Sequence, residues 1–176
     1  NTGVLNIGSS RSPIYLGRLQ SFAGDKDIRF LYHCVDSVFN EKEKQNLQKE
    51  FDETFTLYNA VFKNQTVPKI AYHISGFNYA LVCSDSVLGI GLDFYLGRTF
   101  KYYGYLQYPE YKKRVMQKEY ILPHALYAWF KTEFDTTDGA SNLLGEMVNE
   151  GKILYFIQNL KPEIQDTILF GYTQKQ

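Results

Sequence analysis

Two stretches in the first third of the chain carry apolar residues at helical spacing. The first begins after Asp27 and comprises Ile28, Leu31, Val35, Val38 and Phe39. The second lies in residues 41–63 and comprises Leu47, Phe51, Phe55, Tyr58 and Phe62. Asn40 is a favourable N-cap for this second stretch, and Glu41 and Glu43 place acids where the helix dipole favours them. The pattern predicts two amphipathic helices packed on a core.

After Pro68 the pattern changes from helical spacing to short runs of β-branched and aromatic residues. The runs are residues 69–75, 79–83 and 87–92, and turn-forming residues separate them. We interpret them as a three-stranded antiparallel β meander. Gly89 and Gly91 in the last run permit a close backbone approach or a bulge.

Two further helical patterns follow at residues 112–130 and 140–160. Pro123 interrupts the first, so that helix is expected to kink or to restart there. The first 24 residues are rich in Gly and Ser and are typical of a loop. The sequence therefore predicts an α+β fold, mostly helical with a small antiparallel sheet. We expect an extended or loop segment at residues 1–26 and a single domain at residues 27–176.

The composition excludes some classes of protein but does not identify a function. The chain has 176 residues, and 19 Lys and Arg balance 19 Asp and Glu. This balance argues against nucleic acid as the main partner, because affinity for phosphates depends on an excess of basic residues. No apolar run approaches the ~18 residues that a membrane span requires. Cys34 and Cys83 allow either one long-range disulfide or two buried thiols.

Tyrosine is the distinctive feature of the composition, with 15 Tyr and 13 Phe against one Trp. Tyr residues are concentrated in the Gly- and Pro-punctuated segment 95–111, which we call the Tyr segment. Such rings offer a large contact area at low entropic cost, which suits the recognition of protein or sugar. The alternative is that the rings fix a long loop onto the helices.

The order of the predicted elements is that of one large group of zinc peptidases, in which a meander precedes two helices. The first helix of those enzymes carries the motif HExxH, whose two His residues bind the metal. If Glu119 takes the place of the catalytic Glu, the ligand positions fall on Lys118 and Leu122, which cannot bind zinc. The sequence thus predicts a degenerate zinc-peptidase-like architecture with no catalytic residues, metal or cofactor.

Four short stretches resemble the gliding-motility lipoprotein GldB family. The most specific read Leu-Asp-Phe-Tyr-Leu-Gly at residues 92–97 and Glu-Gly-Lys-Ile-Leu-Tyr at residues 150–155. Residues 71–77 and 171–173 add to the resemblance, which covers about residues 27–176. We expect the family's C-terminal stretch to be missing here. The resemblance implies an exported cell-envelope lipoprotein, lipid-anchored to a bacterial membrane, facing the periplasm and needed for gliding and its associated secretion machinery.

The sequence and the resemblance together predict a non-catalytic scaffold that binds other cell-envelope proteins. It would bind no nucleic acid and would contact the membrane only through a lipid anchor outside this sequence. The candidate contact residues come from the Tyr segment and from the former peptidase cleft: Asp93, Tyr95, Tyr102, Tyr103, Tyr105, Tyr108, Glu119, His124 and Glu150.

Two other functions remain open at this point. One is a zinc-dependent peptidase or hydrolase that uses His73, His124 and Glu150 in an unorthodox arrangement. The other is a carbohydrate-binding module that uses exposed Tyr rings.

Overall fold

The computed structural model describes residues 14–63, 65–134 and 143–173. Within these ranges it contains eight helices and three strands: α1 (Tyr15–Gly24), α2 (Lys26–Val38), α3 (Glu41–Val61), β1 (Lys69–His73), β2 (Leu81–Ser84), β3 (Val87–Gly91), α4 (Lys101–Tyr105), α5 (Glu110–Val115), α6 (Ile121–Glu133), α7 (Leu143–Leu160) and α8 (Asp166–Leu169). Short 3-10 turns occupy Leu92–Tyr95 and Lys118–Tyr120. The α+β class, with a small sheet among many helices, is confirmed.

The N-terminal segment differs from the prediction of a loop, because Tyr15–Gly24 is helical. Tyr15 is buried in this helix, and α1 packs against α2. This packing outweighs the low helix propensity of the Gly and Ser residues that suggested a loop. The predicted loop at residues 1–13 lies outside the described residues, and the division of the chain at residue 26 stays a prediction.

Helices α2 and α3 confirm the two amphipathic patterns. The Asn40 side chain caps α3 by accepting a hydrogen bond from the Glu43 backbone N–H at 3.0 Å. The apolar stripe of α3 is buried at Phe51, Phe55 and Tyr58, while its charged face remains in solvent. The capping side chain and the periodic stripe therefore both have the structural roles that their spacing predicted.

The three strands form a mixed sheet, so the prediction of an antiparallel meander is wrong. The strand order is β1-β3-β2, with β3 antiparallel to β2 and parallel to β1. Residues 74–80 carry the chain across the sheet, and the Gly91 backbone N–H donates to the Ala80 carbonyl at 2.8 Å. A Cβ on Gly91 would lie only 2.5 Å from the Tyr79 carbonyl oxygen, so a glycine is needed where the chain crosses.

The core lies between the sheet and helices α3, α6 and α7. The rings of Tyr58 and Phe130 stack at 5.2 Å, and Phe130 meets Phe156 at 4.9 Å. The helix predicted at residues 112–130 is divided into α5, a 3-10 turn and α6. Pro123 lies in the first turn of α6. Backbone N–H groups in the first turn make no intrahelical hydrogen bond, so the absence of this group in Pro123 costs the helix nothing. The predicted restart is therefore confirmed, and it occurs at Ile121.

Cys34 and Cys83 are both free thiols. Each is half-buried, and burial raises the pKa of both side chains above the ordinary value of a thiol. Of the two alternatives that the sequence allowed, the structure shows unpaired thiols.

Candidate functional site

A buried carboxylate organises the region where the sheet meets the Tyr segment. Asp93 is fully buried, and its Oδ2 accepts hydrogen bonds from the Ser75 backbone N–H at 3.2 Å and the Phe77 backbone N–H at 2.8 Å. The Ser75 hydroxyl also donates to this oxygen at 3.2 Å. We call Asp93, Ser75 and the Phe77 backbone the Asp93 cluster. Burial raises the pKa of Asp93, and the hydrogen bonds oppose part of that rise.

The Asp93 cluster holds an unusual turn in place. Gly76 and Phe77 both adopt positive φ, at 65° and 62°. This conformation is disfavoured for a bulky residue such as Phe77, so surrounding contacts must stabilise it. The bonds from Ser75 and Phe77 to one carboxylate supply such contacts. The Ser75 hydroxyl also accepts from the backbone N–H groups of Asn78 and Tyr79. Asp93 therefore fixes the crossing of the chain. Its complete burial leaves no surface for the contact with a partner that the sequence analysis predicted.

Tyr103 joins the Tyr segment to the same buried region. Its hydroxyl donates to the Asp93 carbonyl at 2.8 Å and accepts from the Leu96 backbone N–H at 3.0 Å. The ring is fully buried and packs edge-on against Phe77 and Phe100. The prediction that Tyr103 contacts a partner is corrected, because its ring fixes the segment from inside. For this residue the alternative of a loop locked onto the body of the fold holds.

Partly and largely exposed rings of α2 and α4 lie near this anchor. Tyr105 is 75% exposed, and its ring meets that of Tyr102 at 5.7 Å. Tyr102 in turn contacts Phe30 of α2 at 5.5 Å. The Lys101 ammonium lies 5.3 Å and 5.4 Å from the ring centroids of Phe30 and Tyr102, within cation–π range. We call Phe30, Lys101, Tyr102 and Tyr105 the aromatic patch.

His124 is paired with Tyr95 at the junction between the Tyr segment and α6. The Tyr95 hydroxyl lies 3.3 Å from His124 Nδ1, and the Tyr120 ring packs against the imidazole at 5.5 Å. Burial lowers the pKa of His124 to about 4, so the imidazole is neutral at neutral pH. Tyr95 is buried as well, so the prediction that it forms part of an exposed contact surface is corrected.

Glu150 and Glu119 make contacts other than the pairing of Tyr95 with His124. Glu150 of α7 accepts hydrogen bonds from the Lys131 ammonium at 2.5 Å and from the Tyr127 hydroxyl, both on α6. These bonds lower the pKa of Glu150. Glu119 is exposed and lines a groove beside α3. Glu150 thus pairs with side chains of α6 and Glu119 faces a groove beside α3, and the role of these residues and His124 in contacting a partner stays a prediction.

The positions examined for a peptidase motif have other roles in the fold. Lys118 forms an ion pair with Glu43 at 3.1 Å, and Leu122 is buried in the core. Across the described ranges, no three His, Cys, Asp or Glu side chains are grouped as a metal ion would require. The structure thus does not bring His73, His124 and Glu150 together. The meander on which the comparison with zinc peptidases rested is also not present, and that likeness stays a prediction.

The model of one protein family, described as gliding motility protein GldB, matches residues 3–176. The chain belongs to the GldB family. The matched range includes the N-terminal segment that the resemblance left out. Neither the curated proteins nor the solved structures gave a match to the chain.

Membership in the GldB family places the chain among lipoproteins of the cell envelope that are associated with gliding motility. Among the described helices, none combines the length and the hydropathy needed to cross a bilayer. The Tyr segment and the Asp93 cluster both lie inside the matched range, so the geometry above belongs to the GldB domain.

Sequence reasoning found part of the exposed surface of this GldB domain. Tyr102, Tyr105 and Tyr108 are at least partly exposed, and their role in binding a partner stays a prediction, as does that of Glu119. The sequence analysis did not identify Phe30, which lies on α2 outside the apolar stripe that packs on the core. The available signal was a large ring on the otherwise polar face of an amphipathic helix.

Proposed function

We propose that this GldB-family chain is a non-catalytic binding scaffold of the cell envelope that engages another envelope protein through the aromatic patch. The association with gliding motility and with the envelope rests on the family. The observation that carries the binding role is the aromatic patch itself, in which exposed rings from α2 and α4 meet beside a buried anchor.

The composition of the patch fits a protein interface. Tyr and Phe are enriched in the centres of protein interfaces, where rigid rings bury a large area. Phe30 is 41% exposed and Tyr105 is 75% exposed, so both retain apolar surface that a partner would cover. When a partner covers such a ring, each Å² of apolar area removed from water contributes about 25 cal/mol of favourable free energy.

The rigidity of the patch supports the same role. Tyr103 ties α4 to the carbonyl of the buried Asp93, and Tyr102 stacks on Phe100 at 5.5 Å. Side chains that are ordered before binding lose less conformational entropy when a partner arrives. We further propose that the chain faces the periplasm from a lipid anchor, so that its partner is another envelope protein.

A matched pair of tyrosine variants tests the binding surface. Tyr105 is 75% exposed in the patch, and Tyr155 is 69% exposed on α7, a helix that contributes no residue to the patch. Each is changed to Ala in the full-length protein, which is then cross-linked in a gliding bacterium that carries it. We expect Tyr105→Ala to remove the main cross-linked envelope partner, and Tyr155→Ala to retain it. Equal loss or equal retention in the two variants would place the binding surface elsewhere.

Metal analysis tests the non-catalytic part of the proposal separately. We expect the purified protein to contain no stoichiometric zinc and to have no chelator-sensitive proteolytic activity. Zinc that is lost on His124→Ala would contradict the scaffold proposal, because that residue would then be a ligand.

A further inference from the structure

A groove of about 710 Å³ opens between α1, α2 and β1, on residues that the aromatic patch does not use. Its walls are mainly apolar, with Leu19 and Phe22 from α1, Ile28 from α2 and Ile74 after β1. Small-molecule sites in proteins commonly have volumes of about 300–1,000 Å³, mostly apolar walls and a few polar groups. The groove has the size and the lining of such a site.

The polar residues that line the groove include Arg29, Lys44 and two histidines, His33 and His73, and no carboxylate. Arg29 and His33 come from α2, and Lys44 comes from α3. Lys44 is compensated by Glu41 at 2.9 Å and by Asp36 at 3.6 Å. The groove therefore combines a hydrocarbon-like wall with a basic edge.

Arg29 is the uncompensated charge at this edge. Its Nε donates to the Ala23 carbonyl at 3.3 Å, and within the described ranges no carboxylate forms an ion pair with it. A guanidinium that makes a single bond through Nε keeps its other N–H donors for a ligand. Its planar array of donors also suits a carboxylate oxygen pair.

We propose that the groove binds a fatty acid, with the hydrocarbon chain against the apolar walls and the carboxylate at Arg29. Burial of each methylene contributes about 0.8 kcal/mol, which makes a long single chain a suitable occupant. The charged edge supplies the complement to its head group. This site is separate from the aromatic patch and does not depend on the binding of a protein partner.

The test uses a fluorescent fatty acid, the conjugated polyene cis-parinaric acid, titrated into the purified protein. We expect saturable binding of one molecule per chain that unlabelled myristate displaces. Arg29→Gln is expected to weaken binding about three- to tenfold, since one charge-assisted contact is lost. Lys26→Gln is the matched control, because Lys26 is an exposed cation on the same helix that does not line the groove.

Two further measurements separate the head group from the chain. The methyl ester of myristate should displace the probe less well than myristate does, and Arg29→Gln should remove that difference. Ala23→Trp places a large ring in the groove and should abolish binding. If this variant fails to fold, the Arg29→Gln and ester measurements still test the proposal.

Several outcomes would overturn the inference. They are the absence of saturable binding, equal displacement by the ester and the acid, and equal weakening by Arg29→Gln and Lys26→Gln. Binding to anionic phospholipid vesicles without binding to the free acid would also overturn it, because that result indicates adsorption to a membrane surface.

Discussion

Two regions of this molecule are rich in aromatic residues, but they use the rings differently. In the helical core, the rings of Tyr58, Phe130 and Phe156 contact one another and bury apolar area between α3, α6 and α7. In the Tyr segment, Tyr103 is equally buried, yet its hydroxyl makes two hydrogen bonds to the backbone. The hydroxyl of Tyr58 is also buried but has no hydrogen-bond partner among the described residues. The Tyr103 hydroxyl thus fixes the backbone of the Tyr segment, whereas the Tyr58 hydroxyl makes no such bond to the described part of the chain.

The contrast also appears within the Tyr segment itself. Tyr103 is fully buried, whereas Tyr105, two residues later, is 75% exposed. Residues two apart on a helix point to different sides, so the short helix α4 turns one ring inward and the other outward. One tyrosine-rich stretch therefore provides both an anchor and a surface.

The largest change in stability is expected for a substitution in the helical core. We expect Phe130→Ala to lower the free energy of unfolding by about 3–5 kcal/mol, because it removes a fully buried ring and leaves a cavity. Tyr105→Ala in the Tyr segment should change it by less than about 0.5 kcal/mol. Urea unfolding followed by circular dichroism measures both. Similar losses in the two variants would mean that the rings of the patch also belong to the core.

The second effect concerns His124, which lies between the two regions. Its pKa falls from 6.5 in the unfolded chain to about 4 in the folded one. Between these values the unfolded chain binds more protons, so acidification favours unfolding. We expect the wild type to lose about 2 kcal/mol more stability than His124→Gln between pH 7.5 and pH 5. Parallel pH profiles for the two proteins would show that His124 titrates normally.

The third and smallest effect compares two hydroxyl deletions. Tyr103→Phe should destabilise the fold by about 1–2 kcal/mol, because it leaves the Asp93 carbonyl and the Leu96 N–H without their bonds. Tyr58→Phe should be neutral or stabilise the fold by up to about 1 kcal/mol, because removal of this hydroxyl leaves no other polar group without a hydrogen bond. Thermal unfolding of both variants measures the difference. The reverse ranking would show that the Tyr58 hydroxyl has a partner, such as an ordered water.

Local features of the fold were predictable from the sequence. The stripe from Phe51 to Tyr58 and the cap at Asn40 indicated α3, because both depend on residues a few positions apart. The strands were located for the same reason. Their order was not predictable, since the pairing of β1 with β3 depends on where the crossing at residues 74–80 carries the chain.

In the candidate site, too, local features were predictable and contacts between distant parts of the chain were not. Exposed tyrosines were found because a Gly- and Pro-punctuated segment commonly lies on the surface. The role of Asp93 was missed, because its hydrogen-bond donors, Ser75 and Phe77, lie 18 and 16 residues earlier in the chain. Arg29 was missed because its isolation from carboxylates is visible only after α1, α2 and β1 are assembled.

The mixed sheet has a consequence for the order in which the chain folds. Strands β2 and β3 are joined by Asp85 and Ser86 alone, so this hairpin can close within microseconds. Strand β1 precedes the hairpin in the chain but pairs only with its second strand. During synthesis β1 therefore emerges before its partner strand, β3. We expect β1 to pair last, after Asp93 has been synthesised and its carboxylate can accept the hydrogen bonds that fix the crossing.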